Sequence, residues 1–142
     1  MQLNSLQLKE IITGPLEDDN IQQVGIDLNL IKVEKLSDFG FIPRKGKTIL
    51  CNRTEVPLSD SNSWILTPGV YDITFEQGCN IPANVALKIR QRSSILRNGG
   101  ILHSSLFDPG FVTDHIGTIL HVMDTTIIIE YFSRIAQIYG EE

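Results

Sequence analysis

Apolar positions along the chain fall into short runs. Asn4 to Thr13 carries Leu6, Leu8, Ile11 and Ile12, with Lys9 and Glu10 between them. Asn4 supplies an N-cap and Gly14-Pro15 a stop, so the pattern predicts one short N-terminal helix. Every later periodic segment reads as strand. The runs are Gly25–Val33, Thr48–Leu50, Ser63–Leu66, Gly69–Phe75, Val85–Arg90, Ile101–His103, Gly117–Met123, Thr126–Tyr131 and Arg134–Tyr139. They are rich in Val, Ile, Thr, Tyr and Phe, the residues that suit a pleated, half-buried surface. Turn residues punctuate them at Phe39-Gly40, Arg44–Lys47, Asp60–Asn62, Thr67-Pro68-Gly69, Gln77-Gly78, Asn80–Asn84 and Asn98–Gly100. Leu36–Lys47 reads as the longest surface loop. Many short strands at roughly 8–12-residue spacing predict a mostly β fold: a sandwich, jelly roll or distorted barrel.

Composition narrows this without changing it. A chain of 142 residues predicts one domain, 1–142, burying roughly 70% of its unfolded surface. No apolar run approaches the ~20 residues of a membrane helix. The opening MQLNSLQLKE lacks a basic segment followed by an apolar one, so a cytoplasmic protein without a secretory signal is expected. Cys51 and Cys79 fit no metal spacing and are expected as free thiols. A formal net charge of −5 argues against binding a nucleic acid polymer, which needs a basic surface. A small anionic ligand needs only a local cluster of donors.

Such a cluster is offered by Arg92 to Phe111, RSSILRNGGILHSSLFDPGF. Arg92-Ser93-Ser94 follows an alternating run, at or just past a strand end. A guanidinium fork, two hydroxyls and turn N–H groups suit phosphate oxygens. The same tripeptide also reads as a strand-to-helix turn with serine caps. Asp108 sits in Phe107-Asp-Pro-Gly-Phe111, an ordinary turn signature. Beside a phosphate cradle its carboxylate becomes a candidate to orient water as a general base. Phe107 and Phe111 flank it and suit a sugar, a base or the core. Asp27 is a charge inside the apolar run Val24-Gly-Ile-Asp-Leu28. It needs a partner, either a backbone turn or an Arg across a subunit contact. His103 and His121 read as core or interface residues. The sequence holds no metal-ligand cluster and no phosphate-binding Gly-rich loop with its lysine.

Together these segments resemble the dUTPase and dCTP deaminase superfamily. Val24-Gly-Ile-Asp-Leu28, Arg92-Ser-Ser-Ile-Leu-Arg97, Phe107-Asp-Pro-Gly-Phe111 and Arg134-Ile-Ala-Gln137 are similar to four of its motifs, in order and spacing. Leu66-Thr-Pro-Gly69 and Asn80-Ile-Pro-Ala83 resemble its landmarks between the first and second motifs. Gln22-Gln23-Val24-Gly25 after the helix resembles the deaminase-like branch. The resemblance implies a distorted β-barrel or jelly-roll-like fold, a homotrimer with sites at subunit contacts, and a pyrimidine deoxynucleoside triphosphate bound with Mg²⁺. It assigns Arg92, Ser93, Ser94 and Gln137 to the phosphates. Asp108 would activate the attacking water near the 3′-hydroxyl, and Phe111 would pack on the sugar. Asp27 would support the site and its metal through water. The segment from Asn98 through His103 to Phe107 would read the base.

The departures select among activities. A deaminase needs a carboxylate on the strand after the third motif; here the position falls on His121 or Val122. The deaminase's additional Arg is Leu106. The implied reaction is therefore hydrolysis of dUTP to dUMP and pyrophosphate, by water attack on the α-phosphate. The alternatives are a non-hydrolytic nucleotide binder acting as sensor, sequestering or regulatory protein, and a dCTP deaminase. The superfamily's Gly-rich fifth motif has no counterpart before Glu142, which implies weaker closure over the phosphates. Val112-Thr-Asp-His-Ile116 is an insertion expected near the nucleotide, as a substitute lid or a reshaped pocket wall.

Overall fold

The computed structural model describes residues 1–142. The N-terminal helix α1 covers Ser5–Lys9. Asn4 Oδ1 accepts from the Gln7 N–H, and Gln7 Oε1 accepts from the Asn4 N–H, both at 2.9 Å. This reciprocal capping box satisfies two otherwise orphaned donors. The helix stops short of the predicted Thr13 because Ile12–Thr13 forms strand β1. A 3₁₀ turn at Asp18–Asn20 then leads into β2, Ile26–Ser37.

The remaining strands are β3 (Asn52–Glu55), β4 (Ser63–Leu66), β5 (Gly69–Phe75), β6 (Gly78–Asn80), β7 (Ala86–Gln91), β8 (Gly100–Leu102), β9 (Leu106–Phe107), β10 (Val112–Thr113), β11 (Gly117–Val122), β12 (Ile127–Glu130) and β13 (Arg134–Glu141). A short helix, α2, spans Ser93–Arg97 between β7 and β8. The main sheet runs β8-β11-β5-β2-β13-β7-β9, with β3 also paired to β2. Two small sheets, β1-β6-β10 and β12-β4, complete a curled, mostly β fold. Long β2 makes the curl. Ile26–Asn29 pair with β13, and Leu30–Lys35 pair with β5 across a register shift. A bulge of this kind bends a strand and lets one element serve two parts of a sheet.

One core of 28 buried apolar residues fills the curl. Alternation along β7 sends Leu87 and Ile89 into it and leaves Lys88 and Arg90 outside. Opposite them on β13, Ala136 and Ile138 are buried while Gln137 and Tyr139 reach the surface. This period of two determines which polar residues share the outer face of the β7–β13 pair.

Further segments differ from the sequence expectation: Gly78–Asn80, read as turn at Gly78 and Asn80, is strand β6, and Leu36–Ser37, read as loop, ends β2. Ser93–Arg97 is helical, as the capped-turn reading of Arg92-Ser93-Ser94 allows. Thr48–Leu50 is not a strand: Ile49 makes only an isolated bridge to Phe41, and the pairing strand lies at Asn52–Glu55. The insertion after Phe111 is not a free lid. Val112 and Thr113 pair with Asn80 and Cys79, and His115 Nδ1 lies 2.9 Å from the Glu76 carbonyl oxygen.

Candidate functional site

Asp27 is the centre of the polar cluster. It is 1% exposed at its residue level, so its carboxylate needs partners. Gln22 Nε2 donates to Oδ2 at 3.1 Å and Gln137 Nε2 donates to Oδ1 at 3.3 Å. Arg92 Nη1 lies 3.4 Å and Arg134 Nη1 3.8 Å from Oδ2. Asp27 therefore pairs with arginines of its own chain. Beneath it the buried amides of Asn20, Asn29 and Gln77 form a closed network: Asn20 Nδ2 donates to Asp27 O and to Asn29 Oδ1 at 2.7 Å each, and Gln77 Nε2 donates to Asn29 Oδ1 at 2.8 Å. Fully satisfied buried networks of this kind rigidify what they support.

The elements explain the placement. Arg92 is the N-cap of α2, at the end of β7, and its Nη1 also donates to the Arg134 carbonyl at 3.1 Å. A register shift in β13 between Arg134 and Ala136 re-aims Arg134 toward Asp27. Gly25 lets β13 approach: a Cβ there would meet the Ile138 carbonyl oxygen at 2.5 Å and Gln137 Cγ at 2.8 Å. Ser93 and Ser94 open α2 and are exposed. Asn98 caps the other end of α2, with Nδ2 donating to the Ser94 carbonyl at 2.8 Å. Arg92, Ser94, Asn98 and Arg134 edge an open pocket of about 420 Å³, whose apolar wall includes Ile95, Ile127 and Phe132. Phe132 adopts φ 70, a left-handed conformation unusual for a bulky residue.

The third motif lies elsewhere. Asp108 and Phe111 are exposed in the turn between β9 and β10. The Phe111 N–H donates to Asp108 O at 3.1 Å, and the Phe107 and Phe111 rings stack with centroids 5.8 Å apart. Phe107 stands opposite Leu87 on β7. Leu87 to Arg92 is an extended run about 16 Å long. One chain thus brings Arg92, Ser93, Ser94, Gln137 and Asp27 to one end of β7 and Asp108 with Phe111 to the other. His103 is exposed between them; its backbone N–H donates to Ile119 O and its C=O accepts from Thr118 Oγ1, each at 2.9 Å. Its side chain, rather than its backbone, faces outward.

Sequence reasoning missed Gln22 and Arg90. Gln22 carries no signal beyond its place near the first motif. Arg90 was visible only as a polar member of an alternating run. No group of three or more His, Cys, Asp or Glu side chains is arranged to hold a metal ion. A Mg²⁺ ion fits only as part of a metal–nucleotide complex, ligated by phosphate and water oxygens, the usual Mg²⁺ mode. Asp27 is the nearest buried carboxylate, enclosed by two guanidiniums and two amides.

Comparison with known proteins gives the family and the fold. The model of the dCTP deaminase-like family matches residues 2–142. The deoxyuridine 5'-triphosphate nucleotidohydrolase of Methanocaldococcus jannaschii is 38% identical over 125 residues, covering 87% of this chain and 79% of that protein. The probable enzyme of that name from Halobacterium salinarum is 33% identical over 128 residues, 87% of this chain and 76% of that one. Among solved structures, the 2'-deoxycytidine 5'-triphosphate deaminase of Agrobacterium tumefaciens superposes with TM-score 0.75 at 16% identity, over 98% of this chain and 47% of that one. This chain thus spans about half of that structure. The EIAV dUTPase superposes with TM-score 0.51 at 16% identity, over 78% of this chain and 88% of that one. The two superpositions establish the fold, and the family match runs through all four motifs: the chain belongs to the dCTP deaminase-like family, within the dUTPase and dCTP deaminase superfamily.

Proposed function

We propose that the chain is a dUTP nucleotidohydrolase that works as a homotrimer and uses Mg²⁺ carried with its nucleotide. One observation supports this above the rest: the motif residues sort to the two ends of β7. Two arginines sharing one buried carboxylate, with two exposed serines, lie at one end, and an exposed carboxylate beside two stacked rings lies at the other. Two such ends from adjacent copies would complete one site.

In that site Arg92, Ser94 and Gln137 hold phosphate oxygens and offset the charge that builds in the transition state. Asp108 of the neighbouring copy accepts a proton from water. The water oxygen bonds to the α-phosphorus, and the bond to the bridging oxygen of the departing pyrophosphate breaks. Bound with the nucleotide, Mg²⁺ would neutralise charge on the phosphate oxygens. Phe111 lies flat enough against Phe107 to offer one face to a deoxyribose. The relatives in Methanocaldococcus and Halobacterium bear the name of this hydrolase. The position of the deaminase carboxylate is the exposed His121 or the buried Val122, neither of which replaces it.

The test is chromatography of products after incubation with Mg²⁺ and each of dUTP, dCTP, dTTP and UTP. dUMP and pyrophosphate from dUTP alone, lost in chelator, is the expected result. Asp108→Asn should lower kcat by roughly 10²–10⁴-fold and change dUTP binding only a few fold. Normal turnover by that variant would remove Asp108 from the mechanism. Deoxyuridine products from dCTP would reassign the chain as a deaminase.

A further inference from the structure

Three guanidiniums meet at the phosphate end of the β7–β13 pair. Arg92 and Arg134 share the Asp27 carboxylate. Arg90 has no carboxylate partner. Its Nε donates to Gln137 Oε1 at 2.9 Å, and its Nη2 converges on the same oxygen. Its Cζ lies 5.1 Å from the centre of the Tyr139 ring. Three cations therefore stand against one buried carboxylate, Asp27, and one exposed carboxylate, Glu130, on the same pocket, in a chain whose net charge is −5. A guanidinium fork that closes on one neutral carbonyl oxygen has the geometry it would use on a phosphate oxygen, with a weaker partner.

Arg90's place on the strand gives the group a direction. Arg90 sits two residues before Arg92, whose backbone is still extended just past the end of β7, so both side chains point to the same side, their Cα atoms about 6.6 Å apart. Lys88 continues the row, but Glu141 lies 3.7 Å from its Nζ and offsets its charge. Past it lies a hollow of about 240 Å³ lined by Lys88, Ser104, Ser105, Leu106 and Tyr139. Unneutralised positive charge thus runs from the Arg92 cradle to Arg90 and stops there. That is the footprint of an extended anion anchored at Arg92.

We propose that Arg90 is a further substrate-binding residue that exchanges the Gln137 carbonyl for the outer phosphates of the triphosphate. This rests on reading the chain as a triphosphate-binding hydrolase. A phosphate oxygen carries full charge, so it displaces a neutral amide oxygen from the fork. The Tyr139 ring keeps the guanidinium over the strand during the exchange. Gln137, still held at its Nε2 by Asp27, keeps its position. Arg90 therefore senses the number of phosphates, and distinguishes a triphosphate substrate from a monophosphate product.

Calorimetry with the imido analogue dUpNHpp and with dUMP tests this on the wild type, Arg90→Gln and Arg90→Lys. Arg90→Gln should weaken dUpNHpp by about 10- to 100-fold, the range for one charged hydrogen-bonding group. Its dUMP affinity should stay within about twofold, and the salt dependence of dUpNHpp binding should flatten because one charge is gone. Arg90→Lys keeps the charge without the fork and should fall between the two. It decides the matter should Arg90→Gln fail to fold. Equal losses for both ligands, or undiminished dUpNHpp binding, would overturn the role of Arg90. A wild-type protein that binds neither ligand would instead overturn the hydrolase reading.

Discussion

Cys79 is 1% exposed, packed in the β1-β6-β10 sheet, and burial pushes its thiol pKa above the ordinary 9.0, partly opposed by the Thr113 backbone. The folded protein keeps this thiol protonated where the unfolded chain ionises it. Its stabilising contribution is complete below 9.0 and is lost as pH rises toward the folded value. Urea unfolding should therefore show wild-type stability falling faster than that of Cys79→Ala as pH passes 9.0. Native protein should react with a thiol reagent at the half-buried Cys51, and at Cys79 only in denaturant. Equal native rates would contradict the buried placement. The sequence showed both cysteines unpaired but not which was buried, because burial is fixed by pairing with distant Ile12 and Thr113. Asp27 repeats the lesson at the site. A carboxylate in an apolar run announces that it needs a partner. That the partners are Arg92 and Arg134 depends on β13 lying beside both β2 and β7.

At the scale of elements, legibility followed the local signal. Ser63–Leu66 and Gly69–Phe75 are strands residue for residue as hydropathy predicts. The Asn4 cap is real, since capping needs only neighbours along the chain. Strand β3 was missed because Asn52–Glu55 is polar and mostly exposed, held by backbone pairing to the end of β2. Strand β10 was missed because two residues carry no period; its pairing partner β6 places it. Gly78 shows how tightly this is set: a Cβ there would meet the Thr113 carbonyl oxygen at 2.2 Å and that of Asp114 at 2.5 Å. Those are backbone atoms, which cannot swing aside as a side chain would. Gly78→Ala should cost about 1–3 kcal/mol and lower Tm by several degrees, measured by thermal denaturation. An unchanged Tm would mean that β10 yields freely, and would restore the insertion as a mobile lid over Phe111.

The whole molecule raises a question that no single chain answers. Its proposed phosphate cradle and its Asp108 turn lie at opposite ends of β7, about 16 Å apart along the strand. A ring of identical copies can join unlike ends in every contact, so each copy lends Asp108 to one site and Arg92 to another. Light scattering should then report three chains per particle. Complementation between inactive variants is the sharper measurement, because it reads the site itself. Asp108→Asn lacks the carboxylate proposed to activate water. Arg92→Gln lacks the cradle's cation but keeps a donor for Asp27, which avoids leaving that buried carboxylate bare. Each should be nearly inactive alone. Unfolded together in equal amounts and refolded, they should form mixed rings in which about a quarter of the sites pair an intact Arg92 with an intact Asp108. Activity should return toward that fraction of wild type. A site built within one chain could never be whole in such a mixture, since every copy carries one lesion. No recovery from rings shown by mass to be mixed would therefore place Asp108 and Arg92 in the same subunit's site, and would require a chain conformation that folds the β9–β10 turn back along β7.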